Sequence, residues 1–210
     1  MLKINVTSLN NVSAYMKDEI EVGDLIERLT GEYKPTALMK IGESFHAVLE
    51  SPYSYYDKAK SLYVCGGYEF TVSDVLHASK VIPQEAIYEL SVDKIYSVNG
   101  HDILVTARVD AIYGRYIYEN KTTFSTFSFD RYYDSMQWRY YLDMMDGERM
   151  YYNIFCMKEP LEDSRLVTLR SIERFYFKPY PSLADDIKSN LSDFITVIED
   201  IGIKDRFECI

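Results

Sequence analysis

The chain has 210 residues, of which 47% are hydrophobic and 27% charged, a composition typical of globular proteins. Its formal net charge of −10 argues against a basic surface that coats nucleic acid without specificity, because such binding needs Lys and Arg to neutralise phosphates. The charge is uneven: residues 151–180 carry +1, whereas residues 181–210 carry −4. The acidic total is therefore compatible with a local basic groove.

Simple sequence patterns argue against a membrane protein, a secreted protein and a site built from cysteines. No apolar run approaches the roughly 18 residues of a membrane helix, and the N-terminal sequence lacks the apolar segment of a signal peptide. The three cysteines, Cys65, Cys156 and Cys209, form no Cys-x-x-Cys pair and support neither a disulfide framework nor a zinc site. They are also too few for a four-cysteine iron–sulfur cluster. We expect a cytoplasmic protein with buried thiols, without a membrane partner or an iron–sulfur cluster.

The N-terminal part is predicted to be helical. Residues 7–18 predict a short helix capped by Thr7 or Ser8, and residues 21–31 predict a second helix that ends at Gly31. Residues 51–70 are expected to be irregular, and residues 71–82 predict a further helix capped by Ser73. Between them Pro35 opens a longer amphipathic helix. Its apolar stripe consists of Leu38, Ile41, Phe45, Val48 and Leu49.

From residue 86 onward the pattern predicts strands. Residues 86–98 and 101–113 are joined by Asn99-Gly100, a strong hairpin signal. A third strand over residues 116–123 follows Gly114-Arg115, where glycine in the first position suits a two-residue type II′ turn. This turn sets the pairing of the two strands. The residues expected to face each other are Tyr113 and Tyr116, Ala111 and Tyr118, and Asp110 and Glu119.

The C-terminal part continues with a helix that begins near Asp130 and ends before Gly147. Two strands follow over residues 149–158 and 165–177, and then a final amphipathic helix over residues 181–202. The core side of that helix is formed by Leu183, Ile187, Leu191, Phe194 and Ile198. This order predicts an α/β fold with a mixed central β-sheet flanked by helices, in a single domain over residues 1–210.

The last opposed pair, Asp110 and Glu119, brings two carboxylates together. Directly opposed side chains have Cβ atoms about 4.5–5.5 Å apart, and like charges there are destabilising. Lys121 shares the face of Glu119, as Arg108 shares that of Asp110, because side chains two apart in a strand point the same way. A divalent metal between the carboxylates would relieve the repulsion. The alternative is an exposed hairpin face with solvated charges.

Two of the predicted helices carry polar residues four positions apart. Gly42, His46 and Glu50 share one stripe beside the core of the long N-terminal helix, and Gln137 and Tyr141 share a stripe after the hairpin. Each of these two groups could instead have a purely structural role. His46 would then be a satisfied core residue, and Gln137 and Tyr141 would make hydrogen bonds between elements.

Taken together, GESFH at 42–46, VDAIYGRYIYENK at 109–121 and QWRYY at 137–141 resemble the ordered motifs of the PD-(D/E)XK nuclease superfamily. The resemblance is closest to its RecB-like branch and to the phage-type exonucleases of the RecE and lambda groups. It covers residues 36–145, and residues 149–202 add the C-terminal strands and helix. The superfamily's proline is replaced by Val109, which is common in this branch. The fold implied is a restriction-endonuclease-like α/β/α core.

The resemblance assigns roles to individual residues. It implies that Asp110 and Glu119 bind Mg²⁺ or Mn²⁺ together with His46, and the main-chain carbonyl of Asn120 is expected to complete the shell. The further catalytic residues are Lys121, as a positioned cation, and Gln137. Substrate-binding roles are expected for Gln137, Tyr141 and Arg108.

The implied function is a metal-dependent DNA exonuclease of phage or mobile-element recombination or repair. Its implied partners are DNA and a single-strand annealing protein, and self-assembly is expected because the family includes ring-shaped oligomers. The alternatives are an endonuclease of the same fold and a catalytically silent module for nucleic-acid binding or assembly. The 20 tyrosines, clustered in RYYD, WRYY and MYYN, either stack unpaired bases or pack within strands and helices.

Overall fold

The computed structural model describes residues 1–208, so Cys209 lies outside the described residues. In chain order the elements are β1 (Leu2–Asn5), α1 (Val6–Met16), α2 (Val22–Thr30), α3 (Ala37–Glu50), α4 (Pro52–Tyr55), β2 (Tyr56–Asp57), β3 (Leu62–Cys65), β4 (Tyr68–Thr71), α5 (Val72–Ser79), β5 (Ile87–Val98), β6 (His101–Tyr113), β7 (Tyr116–Thr123), α6 (Phe129–Tyr133), α7 (Gln137–Met144), β8 (Arg149–Lys158), β9 (Leu166–Phe177) and α8 (Leu183–Asp200). A 3₁₀ helix, Lys204–Phe207, follows α8.

The strands of residues 1–208 form one nine-stranded mixed sheet flanked by helices, which confirms the predicted fold class. The strand order is β1-β6-β7-β8-β9-β4-β3-β2, and β5 pairs with β6. One hydrophobic cluster packs the sheet against α1, α7 and α8, and a second packs it against α3 and α5. The predicted apolar side of α8 is buried in the first cluster, and most of the predicted stripe of α3 is buried in the second.

The sheet contains a fork at β6. One edge of β6 pairs with β5 along almost its whole length. On the other edge β1 pairs in parallel with Ile103–Thr106, and β7 pairs only with Ala111–Tyr113. Within residues 1–208, Ala107–Asp110 therefore have no ladder partner on that edge. This opening leaves a cleft in the middle of the sheet, and Asp110 lies at its apex.

Both predicted hairpins are present. Asn99 and Gly100 have φ of 51° and 78°, the pair of positive values that a type I′ turn requires, and Gly114 has the positive φ of 60° expected at the first position of a type II′ turn. Tyr113 pairs with Tyr116 and Ala111 with Tyr118, as predicted. The last predicted pair, Asp110 with Glu119, is not part of the ladder, because the strands separate at that point.

The expectation that residues 51–70 are irregular is wrong. The segment forms α4 and the three short strands β2, β3 and β4. β3 and β4 are joined by Gly66-Gly67, whose φ values of 59° and 85° define a tight hairpin turn. The Gly-Gly pair was a usable turn signal, but strands of four residues are too short to show a clear alternation. The four-residue strand β1 was missed for the same reason.

Two predicted helix caps are also wrong. The side chain of Asn5 caps α1 by accepting a hydrogen bond from the Ser8 backbone N–H at 2.8 Å, so the helix begins before Thr7. Thr71, rather than Ser73, caps α5 by accepting from the Asp74 N–H at 3.0 Å. In both cases the helix begins earlier than the sequence pattern indicated. The predicted end of α2 at Gly31 is confirmed, because this glycine adopts the left-handed conformation with φ of 77°.

The single helix predicted from Asp130 is instead two helices, α6 and α7, which are separated at residues 134–136. Asn10 of α1 holds this break, since its side-chain oxygen accepts hydrogen bonds from Ser135 Oγ and from the Met136 N–H, both at 2.9 Å. Trp138 Nε1 donates to the Tyr133 carbonyl at 3.0 Å across the break. As a result Gln137 becomes the first residue of α7.

The expectation that the thiols are buried holds for one of the two cysteines that the structure describes. Cys156 is buried as predicted, whereas Cys65 is only half-buried, because it ends an outer strand of the sheet. Among residues 1–208, no helix combines the length and the apolar character needed to cross a membrane.

The contact between Asn10 and the helix break can be tested by mutation. Asn10→Ala removes the acceptor of two hydrogen bonds and should lower the free energy of unfolding by about 1–2 kcal/mol, as expected for loss of a helix cap. Asn10→Asp keeps an acceptor oxygen and should lose much less. Urea unfolding of both variants measures the difference. Equal midpoints for Asn10→Ala and the parent would contradict the assigned role.

Candidate active site

Glu119 is the buried centre of the site. It lies on β7 and is only 3% exposed. Its Oε1 accepts hydrogen bonds from Lys121 Nζ at 2.5 Å and from Gln137 Nε2 at 2.8 Å. Its Oε2 is buried without a hydrogen-bond partner among residues 1–208. One carboxylate oxygen is thus held by the protein, and the other remains available to a ligand.

Gln137 and Tyr141 connect α7 to both strands of the fork. The Gln137 amide nitrogen also donates to the Tyr141 hydroxyl at 2.8 Å, and this hydroxyl donates to the Arg108 main-chain carbonyl at 2.8 Å. Tyr141 is 2% exposed, and both of its hydrogen bonds are internal. Tyr141 therefore holds Gln137 in place, and its expected contact with substrate stays a prediction.

Asp110 is turned toward the backbone of β7. Its Oδ2 accepts a hydrogen bond from the Asn120 N–H at 2.6 Å, at the point where the ladder between the strands has ended. The Asn120 side chain is held in turn by Asn153, which is fully buried on β8 and donates to Asn120 Oδ1 at 3.0 Å. A single backbone N–H therefore brings Asp110 beside Glu119. The metal-ligand role expected for the Asn120 carbonyl stays a prediction.

The electrostatics of the cleft favour a cation. Burial, together with the neighbouring Asp110, raises the pKa of Glu119 to about 7, although Lys121 and Gln137 act in the opposite direction. Burial lowers the pKa of Lys121, but the attraction of Glu119 and Asp110 outweighs it and leaves this pKa above its ordinary value. Lys121 is therefore an ammonium beside two carboxylates that repel each other. A further positive charge would stabilise the ionised form of Glu119.

His46 lies close to this group on α3. Its Nε2 is buried and has no hydrogen-bond partner in the described part of the chain. Burial lowers the pKa of His46, while Asp110 raises it and Lys121 lowers it, so both residues lie within electrostatic reach of the imidazole. A neutral imidazole with an unpartnered nitrogen is the form that binds metals. The interpretation of His46 as a satisfied core histidine does not fit this unpartnered atom.

Glu50 is a site residue to which the sequence analysis gave no role. Burial raises its pKa, and so does Asp110, whereas Arg108 lowers it, so Glu50 lies within electrostatic reach of both residues. The signal was present, because Glu50 follows His46 by one helical turn on the stripe already noted. Arg108 itself is 68% exposed at its side chain and pairs with Glu89, so its contact with substrate stays a prediction.

The first residue of the helical stripe has a steric role. A Cβ atom added to Gly42 would lie 2.3 Å from Thr122 Oγ1, closer than any real contact of this kind. The glycine therefore lets α3 approach β7 directly beside Lys121. This approach brings His46, one turn further along α3, to the cleft.

The side chains of the site supply part of the coordination shell that a divalent metal needs. Within residues 1–208, no group of three or more His, Cys, Asp or Glu side chains is close enough to hold a metal alone. Two carboxylates, one with an unpartnered oxygen, nevertheless form the hard donor set that Mg²⁺ and Mn²⁺ prefer. The unpartnered nitrogen of His46 is consistent with a further ligand. The donor chemistry thus fits, with main-chain or water oxygens completing the shell.

Comparison with known proteins supports the fold. No family model matches the chain, and no curated protein matches its sequence. Among solved structures, SSO0001 superposes with a TM-score of 0.56 at 19% identity, over 94% of this chain and 77% of the other. An alkaline exonuclease, LHK-Exo from Laribacter hongkongensis, superposes with a TM-score of 0.50 at 15% identity, over 97% and 92%. The complex of LHK-Exo with dAMP superposes with a TM-score of 0.50 at 14% identity, over 97% of this chain and 92% of the other. The chain has the mixed α/β fold of these proteins.

The close approach at Gly42 can be tested with a double-mutant cycle. Gly42→Ala should destabilise the protein by about 1–3 kcal/mol through overpacking against Thr122, despite the gain in helix propensity of roughly 0.5–1 kcal/mol. Thr122→Ala removes Oγ1 and leaves its Cβ at an ordinary 3.6 Å from the new methyl group, so the double variant should regain most of the loss. Thermal unfolding of the four proteins checks the cycle. A Gly42→Ala variant that is more stable than the parent would contradict the steric role.

Proposed function

We propose that this protein is a metal-dependent DNA exonuclease. The observation that carries the proposal is the group formed by Asp110, Glu119 and Lys121, in which Glu119 is buried yet has one oxygen without a hydrogen-bond partner among the described residues. Its order along the chain and its helical neighbours match the motifs of the PD-(D/E)XK superfamily, and the RecB-like and phage-type exonucleases are the branch that the motifs favour. The fold shared with the Laribacter alkaline exonuclease supports the same class.

The dAMP complex of that exonuclease supports DNA as the substrate. A deoxynucleoside monophosphate is the product expected when an enzyme removes nucleotides one at a time from a DNA end. The resemblance further suggests a cytoplasmic role in phage or mobile-element recombination or repair. It also suggests work beside a single-strand annealing protein and assembly with further copies of this chain.

The metal would be Mg²⁺ or Mn²⁺, held by Asp110, Glu119, His46 and the carbonyl of Asn120. When bound, such an ion supplies Lewis acidity and lowers the pKa of a water molecule. The histidine nitrogen shifts the preference toward Mn²⁺, compared with a site made only of oxygen ligands. Gln137 holds the carboxylate of Glu119 in one orientation, which limits the reorganisation needed for the reaction.

Lys121 acts on the substrate side. Its side chain is 36% exposed and lines a cavity of about 610 Å³ that extends beneath α1 and the break between α6 and α7. In hydrolysis a water oxygen forms a bond to phosphorus, the bond to the leaving nucleotide oxygen breaks, and negative charge grows on the phosphate oxygens. An ammonium already held by Glu119 stabilises that charge without reorientation.

The first test compares linear DNA with covalently closed circular DNA. The purified protein should degrade linear DNA to mononucleotides with Mg²⁺ or Mn²⁺, should spare the circle, and should be inactive in EDTA. Gel electrophoresis and chromatography of the nucleotides follow both substrates. Rapid nicking of circles would replace the exonuclease with an endonuclease of the same fold. Inactivity on every DNA would favour a silent binding or assembly module.

The second test separates catalysis from metal binding. Lys121→Ala should lower turnover by a factor on the order of 10²–10³, as for loss of one charge-stabilising donor, while Mn²⁺ binding persists. Asp110→Asn should lose both activity and Mn²⁺ binding, because it removes a charged ligand. Nuclease assays and calorimetric titration with Mn²⁺ give the two readouts.

A matched control for this test is Lys204→Ala. Lys204 forms a lysine–glutamate pair of similar length with Glu199, 2.6 Å, at the C-terminal end of α8. This variant should keep full activity. Full activity in Lys121→Ala would refute the catalytic role of Lys121, and equal loss of Mn²⁺ affinity in Lys121→Ala and Asp110→Asn would show that Lys121 only maintains the structure of the site.

A further inference from the structure

A row of tyrosines crosses three neighbouring strands, on the sheet face that α3 covers further along. Tyr118 on β7 is opposite Tyr151 on β8, which is opposite Tyr176 on β9. The rings of Tyr118 and Tyr151 are stacked with centroids 5.3 Å apart, and those of Tyr151 and Tyr176 lie 5.5 Å apart. Tyr118 is buried, but exposure increases along the row and reaches 46% at Tyr176.

Three cations lie over these rings. The guanidinium of Arg174 lies 4.6 Å from the ring centroid of Tyr151, and that of Arg149 lies 5.0 Å from that of Tyr176. The Lys178 ammonium is 5.6 Å from the Tyr176 ring centroid. Cations at these distances are attracted to the ring faces, which holds them in place. We call this surface the tyrosine–arginine face. It consists of Tyr116, Tyr118, Tyr151, Tyr176, Arg149, Arg174 and Lys178.

The cations of the tyrosine–arginine face form no ion pair with an acidic side chain in the part of the chain that the structure describes. None of the ion pairs within residues 1–208 includes Arg149, Arg174 or Lys178. By contrast, Arg108 and Arg115 each pair with acids. In a chain of net charge −10, a surface of uncompensated cations is a local positive region. Its charge is complementary to a polyanion.

The tyrosine–arginine face begins next to the active-site cleft. Tyr118 packs in one small hydrophobic cluster with Ala111, the residue that follows Asp110 in β6. Tyr88 and Tyr151 border the same cluster, and Tyr88 is close enough to Glu50 for the two groups to interact electrostatically. A nucleic-acid strand that leaves the cleft on the side of α3 would therefore meet these tyrosines first.

We propose that the tyrosine–arginine face binds single-stranded DNA beside the active site. Unpaired bases stack on the exposed ring of Tyr176 and on the half-buried rings of Tyr151 and Tyr116, and the phosphates contact Arg149, Arg174 and Lys178. Stacking of this kind tolerates any sequence, because every base has an aromatic face. Duplex DNA is a poorer ligand, since its bases already stack on one another. The inference rests on the proposed nuclease function for the source of the strand, but binding is measured without cleavage.

The test measures fluorescence anisotropy of a labelled oligothymidylate with the full chain in EDTA. Arg149→Gln/Arg174→Gln should weaken binding at least tenfold, and should reduce the slope of log affinity against log salt by about 1.4, because each lost phosphate contact contributes roughly 0.7. Tyr176→Leu should weaken binding about tenfold. Tyr176→Phe keeps the aromatic ring and should bind like the parent. Circular dichroism of each variant establishes that it is folded.

The matched control is Arg165→Gln/Lys188→Gln, which removes the same charge from exposed positions in the β8–β9 connection and on α8. It should bind like the parent. Equal weakening in both double variants would refute the assigned surface, as would unchanged affinity in Arg149→Gln/Arg174→Gln or no binding by the parent. Sedimentation tests whether the surface is instead an interface between copies of this chain. If the parent is a dimer and Arg149→Gln/Arg174→Gln is a monomer with unchanged DNA affinity, the surface is such an interface and the proposal is refuted.

Different experimental results would refute the proposed nuclease function and the proposed binding surface. Lys204→Ala should bind the oligothymidylate like the parent, because Lys204 pairs with Glu199 outside both the active site and the tyrosine–arginine face. A parent chain that digests linear DNA, with an Arg149→Gln/Arg174→Gln variant that binds normally, would refute only the binding surface. A chain that binds through this surface yet digests no DNA would refute only the nuclease.

Discussion

The separation of β6 from β7 after three residue pairs is the constraint on which the site depends. If the ladder continued, Asp110 and Glu119 would be opposed within one flat hairpin. Instead the Asn120 N–H, released from the ladder between these strands, donates to the Asp110 carboxylate. The fork therefore creates the cleft and also provides the hydrogen bond that keeps one acid beside the other.

The cost of burying Glu119 is offset by contacts from two directions, because Lys121 supplies an opposite charge from the same strand and Gln137 donates a hydrogen bond from α7. Asp110 on β6 acts in the opposite direction, since its negative charge destabilises the ionised form of Glu119. A buried carboxylate with an unpartnered oxygen is unfavourable unless a ligand completes its interactions. This arrangement is typical of a functional site, where stability is lower than an apolar replacement would give.

The proposed catalytic site and the proposed DNA-binding surface lie on opposite sides of the sheet. Glu119, Lys121 and the cavity next to them lie under α7 and beside α1, where the chemistry would occur. The tyrosine–arginine face lies on the α3 side, where the guanidinium groups of Arg149 and Arg174 lie over aromatic rings. Under the two proposals, this separation would let a chain of net charge −10 bind DNA, since the cations of the tyrosine–arginine face would contact the strand.

The sequence by itself determined the features that depend on near neighbours. Alternation and the turns at Asn99-Gly100 and Gly114-Arg115 predicted both hairpins and their first pairings. They also predicted that Asp110 lies near Glu119, although the contact runs through the Asn120 N–H and not through direct opposition in the ladder. Tertiary structure alone decided the rest. The parallel pairing of β7 with β8 brings Asn153 to Asn120, and Asn10 breaks a predicted helix so that Gln137 begins α7. These contacts join residues 33 and 126 positions apart, and no local pattern encodes which distant partners will meet.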